Sequence, residues 1–399
     1  MANVLNGEYR FLPIEKVVFG EGVLEKLPNE IGQLGSQRIA VIASNSLMNS
    51  SSLKKIKDLL GDRLVSVLSG TIQHAPASTV FTIADQIRNK NIDLLISIGG
   101  GTVIDTTKAV ALVLGEGIES VDGLKEFAVT FEYPDKIEIP SISSALIQHI
   151  SIPTTLSAAE FSGIIGITNE QTKVKELYID DKLTPVRVFL DPLVTLDTPD
   201  WLWSASGIRA LDHAIETVYS KNAQLITTTL ALESIKILNE NLIKCKQDPT
   251  DIYARLQCQL AAWMSFFGVT NVMMGLSHGI GHQIGGHANV AHGITSSIML
   301  PHVMKYCLQE TMDEQALITK AMGIDISGME TEEAGRMASD LVINLIKKLE
   351  LPLRLRDVKV SKELFSPIAK DAMEDLVVAS SPRSVNRVDD VIELLEQAW

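Results

Sequence analysis

Five of the eight histidines of this 399-residue chain fall within "LSHGIGHQIGGHANVAHGITSSIMLPH". His278 and His282 are four residues apart, a spacing that places both on one face of a helix, and His292 follows ten residues later beside Gly293. Imidazoles converging from a helix and a loop suit a divalent transition metal, and a neutral histidine nearby can relay protons. His213 lies in an earlier stretch, "GIRALDHAIE", four residues after Arg209, so those two side chains also share a helical face. A carboxylate at position 209 would complete a four-ligand set with His213, His278 and His292. Arginine cannot ligate a cation, because it stays protonated and offers only donors.

A second group of residues suits a nucleotide. In "DLLISIGGGTVIDTTKA" an apolar strand runs into Gly99, Gly100 and Gly101, and a helix is expected from about Thr102. Glycines at a strand-to-helix turn let backbone N–H groups approach a phosphate, and the helix N-terminus adds partial positive charge. The spacing is not GxGxxG. A plain tight turn, with Thr102 as N-cap and Asp105 closing a capping-box-like pair, is the competing account. The loop "SIPTTLSAAEFSG" offers the hydroxyls of Thr154, Thr155 and Ser157 to ribose or phosphate oxygens, unless they serve only as turn and cap residues. Asn45, in "VIASNSL", stands where the second turn of a nucleotide domain meets the adenosine ribose. An acid there would favour NAD, whereas Ser44, Asn45 and Ser46 are neutral and leave NADP open.

These residues need elements to hold them. From about residue 38 to 190, short apolar runs such as "RIAVIAS" and "RLVSVLSG" alternate with amphipathic segments such as "SSLKKIKDLLG", the pattern of βαβ units and a parallel sheet. Beyond "VFLDPLVTLDTP" the periodicity is helical, as in "ITTTLALESIKILNENLIKCK". The expectation is an α/β Rossmann-like dinucleotide-binding domain over 1–192 and an all-helical domain over 193–399 that carries the histidines. The boundary falls near Asp191 to Thr198, where two prolines punctuate the chain.

Composition narrows the function classes. A formal charge of −14 speaks against a nucleic-acid surface, and no apolar run is long enough to cross a bilayer. Cys245, Cys258 and Cys307 are too few and too dispersed for a disulfide framework or a thiolate zinc cage, and read as buried thiols. The opening "MANVLNGEYRFLP" has neither a basic nor an apolar leader region, so a cytoplasmic location is expected.

Several motifs in a fixed order resemble the iron-containing (group III) alcohol dehydrogenases, and the maleylacetate reductase branch in particular. They are "VVFGEGVLEKLP", "IGGGTVIDTTKA", "IPTTLSAAEFSGIIGITNE", "FLDPLVTLDTP", "GIRALDHAIE", "SHGIGHQIGGHANVAHGITSSIMLPH" and "SPRSVNRVDDVIELLEQAW", together spanning nearly the whole chain. The resemblance implies a cleft between a Rossmann-like and a helical domain, and a homodimer. It implies that Gly99, Gly100, Gly101 and Thr102 hold the cofactor pyrophosphate, with Asp105 just inside the helix. Thr154, Thr155 and Ser157 would contact the cofactor near its phosphates and nicotinamide. His213, His278 and His292 fall on three metal ligands, His282 on a histidine of substrate binding or proton relay, and Arg209 on the aspartate ligand. Without that anion, and with a guanidinium in its space, three neutral imidazoles should hold Fe²⁺ or Zn²⁺ poorly.

The expected function is therefore an NAD- or NADP-dependent reductase of a carbonyl or activated alkene in a carboxylated small-molecule substrate, working without a metal. Arg209 and His213 would polarise the reacting oxygen, and His282 or His278 would relay the proton. Arg209 could instead pair with Asp212 as a structural ion pair. Two alternatives stand beside this: a metal-dependent alcohol dehydrogenase whose fourth ligand is Asp212 or a water, and a nucleotide-binding protein that has lost its chemistry.

Overall fold

The computed structural model of the chain describes residues 7–132, 136–170 and 174–399. Residues 1–6, the start of the stretch read for a leader, lie outside them. The strands are β1 (Lys16–Phe19), β2 (Ile39–Ala43), β3 (Leu64–Leu68), β4 (Leu94–Gly99), the pair β5 (Thr130–Glu132) and β6 (Lys136–Glu138), β7 (Gln148–Pro153), the pair β8 (Ile164–Asn169) and β9 (Val174–Ile179), and β10 (Arg187–Leu190). Six of them form one parallel sheet in the order β1-β10-β7-β4-β2-β3. Its central strands read "IAVIA" and "LLISIG" and are buried throughout, as strands covered on both faces must be.

Alternate residues of those strands feed two separate apolar layers. Ala40, Ile42 and Leu95 face one, while Ile39, Val41, Ala43, Leu94, Ile96 and Ile98 face the other. The covering helices are α1 (Leu27–Leu34), α2 (Ser51–Leu60), α3 (Ala77–Asp85), α4 (Gly101–Gly115) and the short α5 (Val121–Lys125). Strand order reverses direction at β2 and β4, so the turns leaving their carboxyl ends flank a crevice.

From Asp200 onward the described chain is helical: α6 (Asp200–Val218), α7 (Leu225–Gln247), α8 (Ile252–Phe266), α9 (Leu276–Ala288), α10 (His292–Cys307), α11 (Met312–Ala321), α12 (Thr331–Lys348), α13 (Phe365–Ala372), α14 (Leu376–Ala379) and α15 (Val388–Gln397). Helix α6 is buried nearly all round, packed by α7, α8 and α10 within the largest apolar cluster of the molecule. Polar side chains on such a helix have to be satisfied inside the protein or face a cavity. No helix among the described residues is long and apolar enough to cross a membrane. All three cysteines are buried and free.

Candidate active site

A cleft of about 810 Å³ lies between the carboxyl edge of the sheet and the helices, and it is lined by Asn45, Gly100, Gly101, Thr102, Asp105, Thr154, Thr155, Ser157, Arg209, His213, His278, His282 and His292, while Gly99 and Asp212 lie behind it. At its sheet end, α4 starts one residue earlier than expected: Gly100 is the N-cap, without any side-chain cap, so the capping-box account with Thr102 and Asp105 does not hold. Gly99 takes φ 155°, and a Cβ there would lie 2.6 Å from Val103 Cγ2. A Cβ on Gly100 would come 3.0 Å from Thr155 Cγ2, and one on Gly101 3.0 Å from Ser157 Oγ. The glycine turn and the hydroxyl loop are thus two walls of one slot. Their backbones are tied by the Thr154 N–H donating to Gly99 O at 2.9 Å, and Thr198 Oγ1 donates to Thr154 O at 2.7 Å. Ser157 Oγ has no partner among the described residues, which leaves it open to a guest in the slot.

Asn45 is less free than its position suggested. Its Oδ1 accepts from the Gly70 N–H at 2.7 Å, so the side chain braces the turn after β2 against the turn after β3. Ser44 and Ser46 share a hydrogen bond at 3.1 Å, and no carboxylate replaces them. Asp105 is half-buried, and burial raises its pKa, with Lys108 and Lys175 opposing.

The other end is organised by α6, α9 and α10. Arg209, Asp212, His213 and Glu216 project from α6. Glu216 Oε2 accepts the Gly275 N–H at 2.6 Å, its Oε1 accepts the Ser277 N–H at 2.8 Å, and His278 Nδ1 lies 2.6 Å from Oε2. Three donors on one carboxylate anchor the start of α9 and set the His278 tautomer, leaving Nε2 buried without a partner. Asp212 accepts the Ser277 hydroxyl at 2.9 Å and stands 3.8 Å from Arg209 Nη1. Burial raises the pKa of both acids, and for Asp212 the neighbouring Glu216 charge adds to the effect.

The Arg209 guanidinium donates one hydrogen bond, to Ser296 Oγ at 3.2 Å, and its side chain is 11% exposed, into the cleft. Both suggested roles are therefore visible: a loose pairing with Asp212 and donors left for a ligand. The His213 ring lies 4.3 Å from the Phe266 ring and 4.9 Å from that of His278. His282 and His292 rings are 6.0 Å apart. Burial holds the His213 and His278 rings neutral, and for His292 the charge of Lys175 outweighs burial in doing the same.

Sequence reasoning missed Lys175, Glu216 and Asp375. Lys175 comes from β9, and its stem crosses Gly166 of β8, where any Cβ would strike Cε. Its Nζ then reaches His292 Nε2 at 2.9 Å. Asp375, the N-cap of α14, holds His282 Nδ1 at 2.9 Å. Only Glu216 carried a signal, as the acid three residues after His213 in the quoted motif. Among the described residues, the ligand-type side chains whose donor atoms gather within 4.8 Å are Asp212, Glu216 and His278, not the three histidines expected to.

The fold and cleft define a group III dehydrogenase, and comparison with known proteins agrees. Residues 14–192 match the iron-containing alcohol dehydrogenase profile, and 204–399 match the C-terminal profile of the Fe-containing alcohol dehydrogenase family. The chain is 30% identical over 394 residues to the NAD-dependent methanol dehydrogenase of Bacillus methanolicus, covering 97% of this chain and 99% of the relative. It is 27% identical to maleylacetate reductase 1 of Cupriavidus pinatubonensis over 368 residues, or 91% and 94% of the two chains. A solved 1,3-propanediol oxidoreductase superposes with a TM-score of 0.91 at 24% identity, over 98% of this chain and 100% of that one. The chain belongs to the iron-containing alcohol dehydrogenase family and is a nicotinamide-dependent oxidoreductase.

Proposed function

We propose that the protein reduces a carbonyl compound with hydride from NADH or NADPH and without a metal ion, Arg209 being the positive group at the reacting oxygen. The observation that carries this reading is the Arg209 guanidinium, with one hydrogen bond spent on Ser296 and its remaining donors facing the cleft beside His213. The three histidines that fall on metal ligands fit a divalent cation poorly beside the Arg209 charge. Lys175 occupies His292 Nε2, Glu216 already takes three donors, and a fixed positive charge stands 3.8 Å from Asp212.

A nicotinamide cofactor held by the Gly99–Gly101 turn and the Thr154–Ser157 loop would supply the hydride for the carbonyl carbon, which leaves this chain's residues to stabilise the negative charge on the oxygen and to deliver the one proton that completes the alcohol. A guanidinium aimed at that oxygen stabilises the charge as it develops, and its fork also suits a substrate carboxylate. His282 is placed to relay the proton: its Nδ1 is held by Asp375, which leaves Nε2 as the atom that exchanges a proton with the reacting oxygen. His278 presents an unprotonated Nε2 and accepts instead. The neutral Ser44, Asn45 and Ser46 at the expected ribose end support use of NADPH as well as NADH.

One observation favours a second reading, in which a metal sits on Asp212, Glu216 and His278, the donors that do converge. Elemental analysis of protein purified without chelator, run beside NAD(P)H oxidation with a panel of aldehydes and 2-oxo acids, separates the two. The proposal expects turnover with far less than one iron or zinc per chain; stoichiometric metal whose removal abolishes turnover overturns it.

A further inference from the structure

The cleft is chemically one-sided where the histidines lie. Arg209, Ser296 and the four imidazoles project from α6, α9 and α10. Beside them the cleft is lined by Phe266, Met273, Leu376 and Val377. Their positions are anchored: Phe266 lies against the His213 ring, and Val377 and Val378 pack on Gly279 of α9, so closely that any side chain there would collide. Asp375, which caps α14, also holds His282. The wall is therefore within reach of whatever the histidines hold.

This wall offers a ligand almost no polar atom. The Phe266 carbonyl accepts the Val269 N–H at 3.2 Å, the Met273 carbonyl accepts the Ser220 hydroxyl at 3.0 Å, and the Met274 carbonyl accepts the Ser380 hydroxyl. The Val377 N–H donates to Asp375 Oδ1 at 3.0 Å. The side chains themselves add only carbon and one thioether. All four side chains are only half-buried by the protein itself, which leaves apolar surface for a guest to cover. The cations that line the cleft are elsewhere: Lys175 and Arg209 on the polar side, and Arg10 paired with Asp181.

The geometry points to a substrate with a polar head and an apolar tail: the head at Arg209 and the imidazoles, an alkyl or aryl tail along Phe266, Met273, Leu376 and Val377. The inference rests on the carbonyl-reductase reading and narrows its substrate class, since a second carboxylate would lose its water on this wall and find no partner. Burying one more methylene against it raises kcat/KM about three- to fourfold.

The test uses the intact protein in two arms. Steady-state reduction is measured across propanal to octanal and pyruvate to 2-oxooctanoate, with 2-oxoglutarate as the doubly charged comparison, and repeated for Met273→Gln, a change of similar shape that adds polarity. In parallel, calorimetry measures propanoate, hexanoate and octanoate binding to the protein saturated with oxidised nicotinamide. Expected are a kcat/KM and an affinity that both climb with chain length, and a smaller octanal-to-propanal ratio in Met273→Gln. A flat or falling series in both arms, or a preference for 2-oxoglutarate, overturns the tail site. If no carbonyl is reduced while affinity still climbs, the tail site stands and the reductase reading falls.

Discussion

Two buried cations of this molecule make an instructive pair. Lys108 on α4 and Arg209 on α6 each lie in a helix beside two acids, Asp105 and Glu160 in the first case, Asp212 and Glu216 in the second. Lys108 is 1% exposed and spends its ammonium on the carbonyls of Ala159 and Ser162, both at 2.7 Å. Burial still pushes its pKa down to about 8. Arg209 has five donors, makes a single hydrogen bond among the described residues, and leaves its nearest carboxylate at 3.8 Å. Lys108 pins the hydroxyl loop to α4, whereas Arg209 leaves its donors open to the cleft. The two cations differ in how many of their donors the described residues consume.

If that contrast is right, replacing the two residues breaks different things. Arg209→Ala is expected to lower kcat/KM for carbonyl reduction by roughly 10²–10³-fold, the range for losing a donor at a developing oxyanion. Nicotinamide affinity, followed by fluorescence titration, should stay nearly unchanged. Arg209→Lys should recover only part of the activity, because an ammonium cannot reproduce the fork. Unaltered steady-state kinetics in Arg209→Ala would place Arg209 with Lys108 among the structural cations. Lys108→Met should instead cost about 3 kcal/mol of stability in urea unfolding, since it strands two acids and two carbonyls in the interior. A loss too small to measure there would show that the Ala159–Ser162 loop holds its place without the ammonium.

How much of this was legible beforehand differs between the two ends of the cleft. The sheet end was readable because each element there belongs to a local pattern. The apolar run into Gly99–Gly101 needs no distant partner to mean a turn at a helix start, and β2 and β4 have the continuous apolar character of doubly covered strands. At the helical end, residue types were readable and partnerships were not. His278 belongs with Glu216, 62 positions away, His282 with Asp375, 93 away, and His292 with Lys175, 117 away. A spacing of four predicts that His278 and His282 share a face, yet says nothing of which carboxylate turns each ring. Of the three histidines that the resemblance sets on metal ligands, His278 and His292 each give one ring nitrogen to such a distant partner and keep the other free, and His213 Nδ1 has no partner among the described residues. The bond from Gly70 to Asn45 was equally illegible, because it depends on how β2 and β3 line up.

Glu160 offers the finest probe of the Lys108 side. Its carboxyl is 2% exposed with one oxygen unpartnered, and burial raises its pKa from 4.5 to about 7. The folded chain therefore binds this proton more tightly than the unfolded chain does. The stability associated with that proton is fully present below 4.5 and is lost as the pH climbs through about 7, to a ceiling of about 3 kcal/mol. Lys108 contributes no opposing slope until the pH approaches about 8, where its own charge begins to titrate. Glu160→Gln carries no such proton, so it should unfold in urea with much the same midpoint as the parent near pH 5 and be the more stable of the two near pH 8, by about 1–2 kcal/mol. Parallel pH profiles would mean that Lys108 already neutralises Glu160 in the fold. The first cluster would then be a fully matched ion pair, and the contrast with Arg209, whose nearest acid stays 3.8 Å away, would widen.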